Sequence, residues 1–557
     1  MFQVDQSTLL LLGALAAALV LWRRHVSRLS IGYVSGPKAS WLYGNMKDFA
    51  YQKNVGDMDF QFVKQYGRVW RMQGPLGRIL RQVIAVLRSF THSNTQLYTQ
   101  ALHHCVHKAD EVYIKRVETT ELFLKMTGKG LVWASGSIHE RQRKIIGPAF
   151  SNAQIRSFLP FFRAGAAKLS QKWKDELQSN GSTGDGMVCA VDKWFNRVTL
   201  DIIGETAFDY NFGAIDNKEN EVSSAIANMF NGGRLRPSKL DLLLKRTWYM
   251  VPEPVLQLMR HIPTREHKRF HRCRQIVDRV SRQLIAEKRE ALLAESKANR
   301  DILSVLVLAN VSEDPRARLS DEELVAQMAT LILAGHVTTV STLTWVAYEL
   351  ARHPDYQAKM REEIRVTRGR LRAHGAQDFS VEDLEGMPLV SSCLKETLRF
   401  HPPLYHVFRA TAADDVIPLA QPVRTASGRY VTEVPVAAGQ QILFSVCAYQ
   451  RLPEVWGEDA DVWNPMRFVD GTLERQSKLG LYANLMAFAG GVRGCLGWRF
   501  SIVETLAVIV ELVEHFRLEP TDDTAKIMRF PAGFPTPVVA GKEHEGPQLL
   551  LKVSPVL

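Results

Sequence analysis

Apolar and polar positions alternate along this chain with a helical period far more often than with a strand period. Val191 to Phe208 reads as a helix carrying Leu200, Ile203 and Ala207 on one face. Ser320-Asp321-Glu322-Glu323 has the form of a capping box, with serine at the N-cap and glutamate three residues later. It opens a helix that runs to Arg352, where His353-Pro354 stops it. The middle of that helix is apolar nearly all round, which means burial; Gln327, Thr330, His336 and a series of Thr and Ser argue against a membrane span there. A further helix carries Lys395-Glu396-Thr397-Leu398-Arg399 and ends at His401-Pro402-Pro403, and another runs from Trp498 to His515. Strand signals are short: Arg68 to Met72, Val434-Pro435 and Ile442 to Ser445, with Gly428 in the turn before the last two. Ile79 to Gln100 shows no clean alternation, and Ser89 to Thr99 is a polar run with no clear element. The expected fold is mainly α with a small β region, and residues 79–100 are atypical.

The N-terminus departs from this pattern. Leu9 to Trp22 is an unbroken apolar run, with Asp5 before it and Arg23, Arg24, His25 and Arg28 after it. A secretory signal carries its positive charge ahead of the apolar region, so the order here favours a retained anchor helix. Ser7 to Trp22 yields about 24 Å of helix, short of a roughly 30 Å hydrocarbon core, so spanning requires snorkelling flanks or local thinning. The basic flank places the remainder on the cytosolic side. Residues 1–30 are thus expected to be a membrane anchor and 31–557 a catalytic domain. Ile31 to Asn45, turn-rich, is expected to be a hinge between them, and Phe534-Pro535-Thr536 is placed in the last hairpin. Asn231 to Glu295, rich in Arg, Lys and Leu, is expected to form several helices.

Composition adds bounds rather than a function. At 557 residues, 46% hydrophobic and 23% charged, the chain can bury a large core. Six cysteines without Cys-x-x-Cys spacing argue against a disulfide framework or a zinc site. The net charge of +12 is spread along the chain without a nucleic-acid motif, which ranks nucleic acid last among partners.

One cysteine stands apart by its context. Phe488-Ala489-Gly490-Gly491-Val492-Arg493-Gly494-Cys495-Leu496-Gly497 surrounds a thiol with glycines and a nearby arginine. Glycine lets the backbone pass close to a flat group, and positive charge and backbone N–H groups lower a thiol's pKa. The stretch matches Phe-x-x-Gly-x-Arg-x-Cys-x-Gly, and so the chain resembles the cytochrome P-450 family of haem-thiolate monooxygenases, most of all its fungal, membrane-anchored members. Two further motifs agree in order: Ala334-Gly335-His336-Val337-Thr338-Thr339 resembles the family's oxygen-activation motif, and Glu396-x-x-Arg399, with Arg467 in a later loop, resembles its buried ion triad.

The resemblance implies haem b, with Cys495 as the iron ligand. It implies propionate contacts from Arg143, Arg409, Arg493 and His139, and a loop shaped around Phe488 and Gly491. Ala334 and Gly335 leave room for dioxygen, and Thr338 offers a distal hydrogen bond. Leu331, Leu333, Val407, Phe534 and the stretch from Leu404 to Phe408 are candidate pocket walls. The implied partners are an NADPH-dependent reductase, a lipophilic small molecule of fungal secondary metabolism, and the endoplasmic reticulum membrane. One departure matters: Val337 occupies the motif's acidic position and cannot relay a proton. A haem-thiolate isomerase or peroxygenase, and a non-catalytic haem-binding membrane protein, remain the alternatives. His336 is expected to be structural or exposed.

Overall fold

The computed structural model describes residues 31–74, 81–85, 100–179, 185–218, 265–293, 301–310, 318–469 and 479–556, with Asp314 and isolated positions between 221 and 239. The expected anchor over residues 1–30, the polar run from Ser89 to Thr99 and most of 231–264 lie outside the described residues.

The principal helices are α1 (Gly136–Ile146), α2 (Asn152–Ser179), α3 (Val191–Phe208), α4 (Arg265–Leu293), α5 (Asp321–Arg352), α6 (Pro354–Ala373), α7 (Pro388–Phe400) and α8 (Trp498–His515). The ends of α5 follow its sequence signals. The Ser320 hydroxyl accepts from the Glu323 N–H at 3.1 Å, and the Glu323 carboxylate accepts from the Ser320 N–H at 2.9 Å. His353 closes the other end ahead of Pro354. Among the described residues α5 is the one helix long and apolar enough to cross a membrane. It runs instead through the core, packed by α3, α4 and α8, and its Trp345 indole donates to the Pro535 carbonyl at 2.9 Å.

The β content is small and peripheral. One sheet has the order β1 (Val69–Gln73), β2 (Arg81–Ala85), β8 (Gln441–Ser445), β5 (His406–Thr411), β3 (Tyr113–Ile114). A second has the order β4 (Met187–Ala190), β12 (Leu550–Pro555), β9 (Phe516–Pro520), and two antiparallel pairs, β6 (Asp415–Arg424) with β7 (Tyr430–Val436) and β10 (Ile527–Pro531) with β11 (Pro535–Val539), complete it. Phe534 lies in the turn of the β10–β11 pair.

Two expectations are corrected. The segment 79–100 contains a strand after all: β2 is antiparallel to β1, with Val69 opposite Ala85, and parallel to β8, with Gln82 opposite Gln441. A strand with a neighbour on both edges is specified by that pairing and need not alternate in its own sequence. Nor is residues 31–45 a free hinge. Ile31 and Val34 are buried, Val34 bridges Thr425, and the Ser35 carbonyl accepts from Arg71 N–H at 2.8 Å. This segment is docked along the sheet.

Candidate active site

The Cys495 loop is held by its own backbone. Cys495 N–H donates to the Phe488 carbonyl at 2.9 Å, Gly494 to Gly491 at 3.0 Å, and Leu481 to Ala489 at 3.2 Å. The glycines are required by protein contacts: a Cβ at Gly490 would meet the Leu479 carbonyl oxygen at 2.4 Å, and one at Gly491 the Val106 carbonyl oxygen at 2.7 Å. The Gly491 backbone also has φ of 59°, in the region that favours glycine. These two glycines let the loop pack tightly on Leu479 and Val106. Phe488 is half-buried and meets Tyr482 edge to face, ring centroids 6.3 Å apart.

Cys495 keeps exposed surface although protein surrounds it, as a side chain does that lines an internal space. Burial pushes its thiol up, while the Gly497 N–H and the charge of Arg143 pull it back down. Arg143, on α1, also donates to the Gly494 carbonyl at 2.7 Å and so ties that helix to the cysteine loop.

A basic cluster stands beside this loop. Arg493 pairs with Asp110 and donates to the Ala134 carbonyl at 2.8 Å. His139 Nδ1 is 3.6 Å from the same Asp110 carboxylate. Lys115 donates to the carbonyls of Val132, Trp133 and Ala134. Burial and Arg493 lower its pKa to about 7. Burial, then Arg493, likewise lowers Arg409 to about 10, and burial holds His139 neutral with a pKa of about 4. Positive charge is thus crowded around one carboxylate. Arg493 Nε is buried without a hydrogen-bond partner, and an orphaned donor of this kind in a cationic pocket calls for an anion.

On α5, Ala334 is exposed between the buried Ile332 and His336, and the Thr338 hydroxyl donates to the Ala334 carbonyl at 2.8 Å. Gly335 lies where α3 crosses α5: a Cβ there would come 2.8 Å from Ile203 Cδ1, the terminal atom of that side chain. His336 is buried on that same crossing, its Nδ1 2.8 Å from the Thr199 hydroxyl, and burial lowers its pKa to about 4. It is structural, one of the two roles expected for it. Of the candidate walls, Leu331, Leu333 and Val407 are partly buried against the core and Leu404 is exposed. A surface groove of about 660 Å³ lined by Lys359, Glu363, Val366, Thr367, Met387 and Leu389 shares none of these residues.

A model of the family described as Cytochrome P450 matches residues 34–542. The chain belongs to that family. Full-length relatives agree: it is 30% identical to cytochrome P450 monooxygenase 205 of Postia placenta, the match covering 99% of this chain and 98% of that one. It is 31% identical to cytochrome P450 monooxygenase claU of Ampulloclitocybe clavipes over 93% of this chain and 91% of that one. It is 30% identical to ganoderic acid synthetase CYP5150L8 of Ganoderma lucidum over 99% of both. This P450 is an oxidoreductase, a monooxygenase, and its cofactor is haem b bound through a cysteine thiolate.

Sequence reasoning missed Asp110 and Lys115. Neither lies in a motif, and Asp110 reaches the site through a backbone φ of 73° that no local pattern announces. It also missed Glu504, nine residues beyond Cys495, whose burial only the packing of α8 on α5 reveals.

Proposed function

We propose that this P450 inserts one oxygen atom from dioxygen into a lipophilic small molecule of fungal secondary metabolism, with electrons from an NADPH-dependent reductase. Residues 1–30 anchor it in the endoplasmic reticulum membrane, and residues 31–557 form a cytosolic catalytic domain. The observation that carries the site assignment is the crowding of Lys115, His139, Arg409 and Arg493 around Asp110, with Arg143 beside Cys495. The claU and ganoderic acid synthetase relatives support the metabolic reading.

The residues fit a thiolate-ligated haem. Cys495 would hold the iron. Arg143, Arg409, Arg493 through its free Nε, and neutral His139 as a donor would take the two propionates. Bound there, haem supplies reduction of dioxygen and oxidation of an unactivated C–H bond. The protein's own part is separable. Gly497 N–H and Arg143 stabilise the sulfur as an anion. Ala334 leaves open space on α5, and the Thr338 hydroxyl, turned from the Ala334 carbonyl, can hold an oxygen or a water. Leu331, Leu333 and Val407 offer an apolar wall to the substrate.

The test is the carbon-monoxide difference spectrum of the reduced, full-length protein in membranes. A red-shifted Soret band is expected in the wild type and is expected to vanish in Cys495→Ser. A band that persists in Cys495→Ser, or is absent from the folded wild type, overturns the assignment.

A further inference from the structure

The short helix Gln100–His107 carries three histidines, and the structure puts them to different uses. Ala101, Leu102 and Cys105 are buried and fix its inner face. His104 Nε2 is 2.8 Å from the Asp415 carboxylate on β6, which also accepts from Lys108 Nζ at 2.9 Å and from the Tyr113 hydroxyl at 2.8 Å. The Val106 carbonyl packs against Gly491 of the Cys495 loop. The helix is thus anchored before any ligand arrives. His103 and His107 remain, four apart and so on one face, and both are exposed. Their ring centroids are 3.9 Å apart, with the planes tilted by 48°. Among the described residues neither imidazole makes a hydrogen bond or an ion pair with another residue.

We propose that His103 and His107 form a surface chelate for a divalent transition-metal cation of the zinc, copper or nickel class, separate from the haem site. Two imidazoles one helical turn apart can each turn one ring nitrogen to the same ion, at the roughly 2.0–2.1 Å of a zinc–nitrogen bond. Imidazole selects these metals, whereas calcium and magnesium require a set of oxygen ligands. Asp415, already holding three donors, is not free to supply one. Both rings face solvent, so water completes the coordination. A second pair, His267 and His271 on α4, has the same spacing, but its centroids are 5.8 Å apart and His267 has a further partner. It is the less prepared of the two.

The experiment dialyses the tag-free, full-length holoprotein in detergent against micromolar zinc, with magnesium and calcium in large excess, and counts the zinc bound per chain. His103→Ala and His107→Ala should each bind one equivalent fewer than wild type, and the double variant no fewer than either single one. The red-shifted carbon-monoxide band should be the same in all of them, which shows that the fold is intact. In the wild type, zinc should protect His103 and His107 from acylation by diethyl pyrocarbonate, read from the masses of their peptides. Those peptides separate this pair from His267 and His271. In His103→Ala the protection of His107 should disappear, because one imidazole alone does not hold the ion. Copper(II) should displace the zinc, as the order of metal affinities requires. Unchanged zinc binding in either single variant, protection of His107 that survives His103→Ala, or zinc that copper does not displace overturns the proposal.

Discussion

Glu396 on α7 and Glu504 on α8 are both fully buried, and they differ in their company. Glu396 accepts from Arg399 Nε at 2.7 Å and Nη2 at 2.8 Å, from Arg467 Nε at 3.1 Å and from the Asn464 N–H at 2.7 Å. Arg399 in turn donates to the carbonyls of Gln450, Ala460 and Val462. An ionised carboxylate is at home in that network, and the network joins α7 to the loop that leads toward Cys495. Glu504 has no such partners. The same side chain is a structural rivet where donors converge on it and an unsatisfied buried group where they do not, and depth alone distinguishes nothing.

The first way to break this comparison is to remove the rivet. Glu396→Met leaves the Arg399 and Arg467 guanidiniums buried without their counter-charge, a loss of about 3–5 kcal/mol. Against a total stability of about 5–15 kcal/mol that is enough to abolish accumulation of holoprotein. We expect no carbon-monoxide band and a sharp fall in folded yield. A variant that melts within a degree or two of wild type would show that Glu396 is dispensable.

A third buried titratable group tests whether partners set charge throughout the core. His336 has the Thr199 hydroxyl as its partner and is neutral, with a folded pKa of about 4. The unfolded chain titrates near 6.5, so between these values it binds a proton that the folded state refuses. The contribution of His336 is therefore intact above about pH 6.5 and is lost as pH falls towards 4. At pH 5 the loss is about 2 kcal/mol. His336→Asn should remove that part of the acid sensitivity, seen as a smaller difference between urea midpoints at pH 7 and pH 5. An identical pH dependence in the variant would mean that the imidazole is already charged in the fold.

Legibility in the sequence follows the range of the interactions involved. The capping box at Ser320, the stop at His353-Pro354, and helices over Val191–Phe208 and Trp498–His515 are encoded within a few residues, and they stand where the sequence places them. The Glu396–Arg399–Arg467 triad was legible because its spacing repeats a family motif. β2 was not, because its evidence lies in two partners, one more than three hundred residues away at β8. Gly335 is assigned to dioxygen by its motif, while its close neighbour Ile203, on another helix, is a contact that no local pattern announces. Asp110 and Lys115 carry no local signal, since their importance comes from the charges brought beside them by α1 and the Cys495 loop.

The smallest effect on stability is the most telling for the two glutamates. Methionine fills nearly the volume of glutamate and asks for no hydrogen bond. At position 504 it removes an unsatisfied buried carboxyl, whose cost is about 1–3 kcal/mol, in exchange for apolar contact. Glu504→Met should therefore melt at the wild-type temperature or a few degrees above it, with the carbon-monoxide band unchanged in position. The identical substitution at 396 should destroy the fold. A fall in melting temperature comparable to that of Glu396→Met would mean that α8 and α5 satisfy this carboxyl after all, and the two glutamates would then be rivets of one kind.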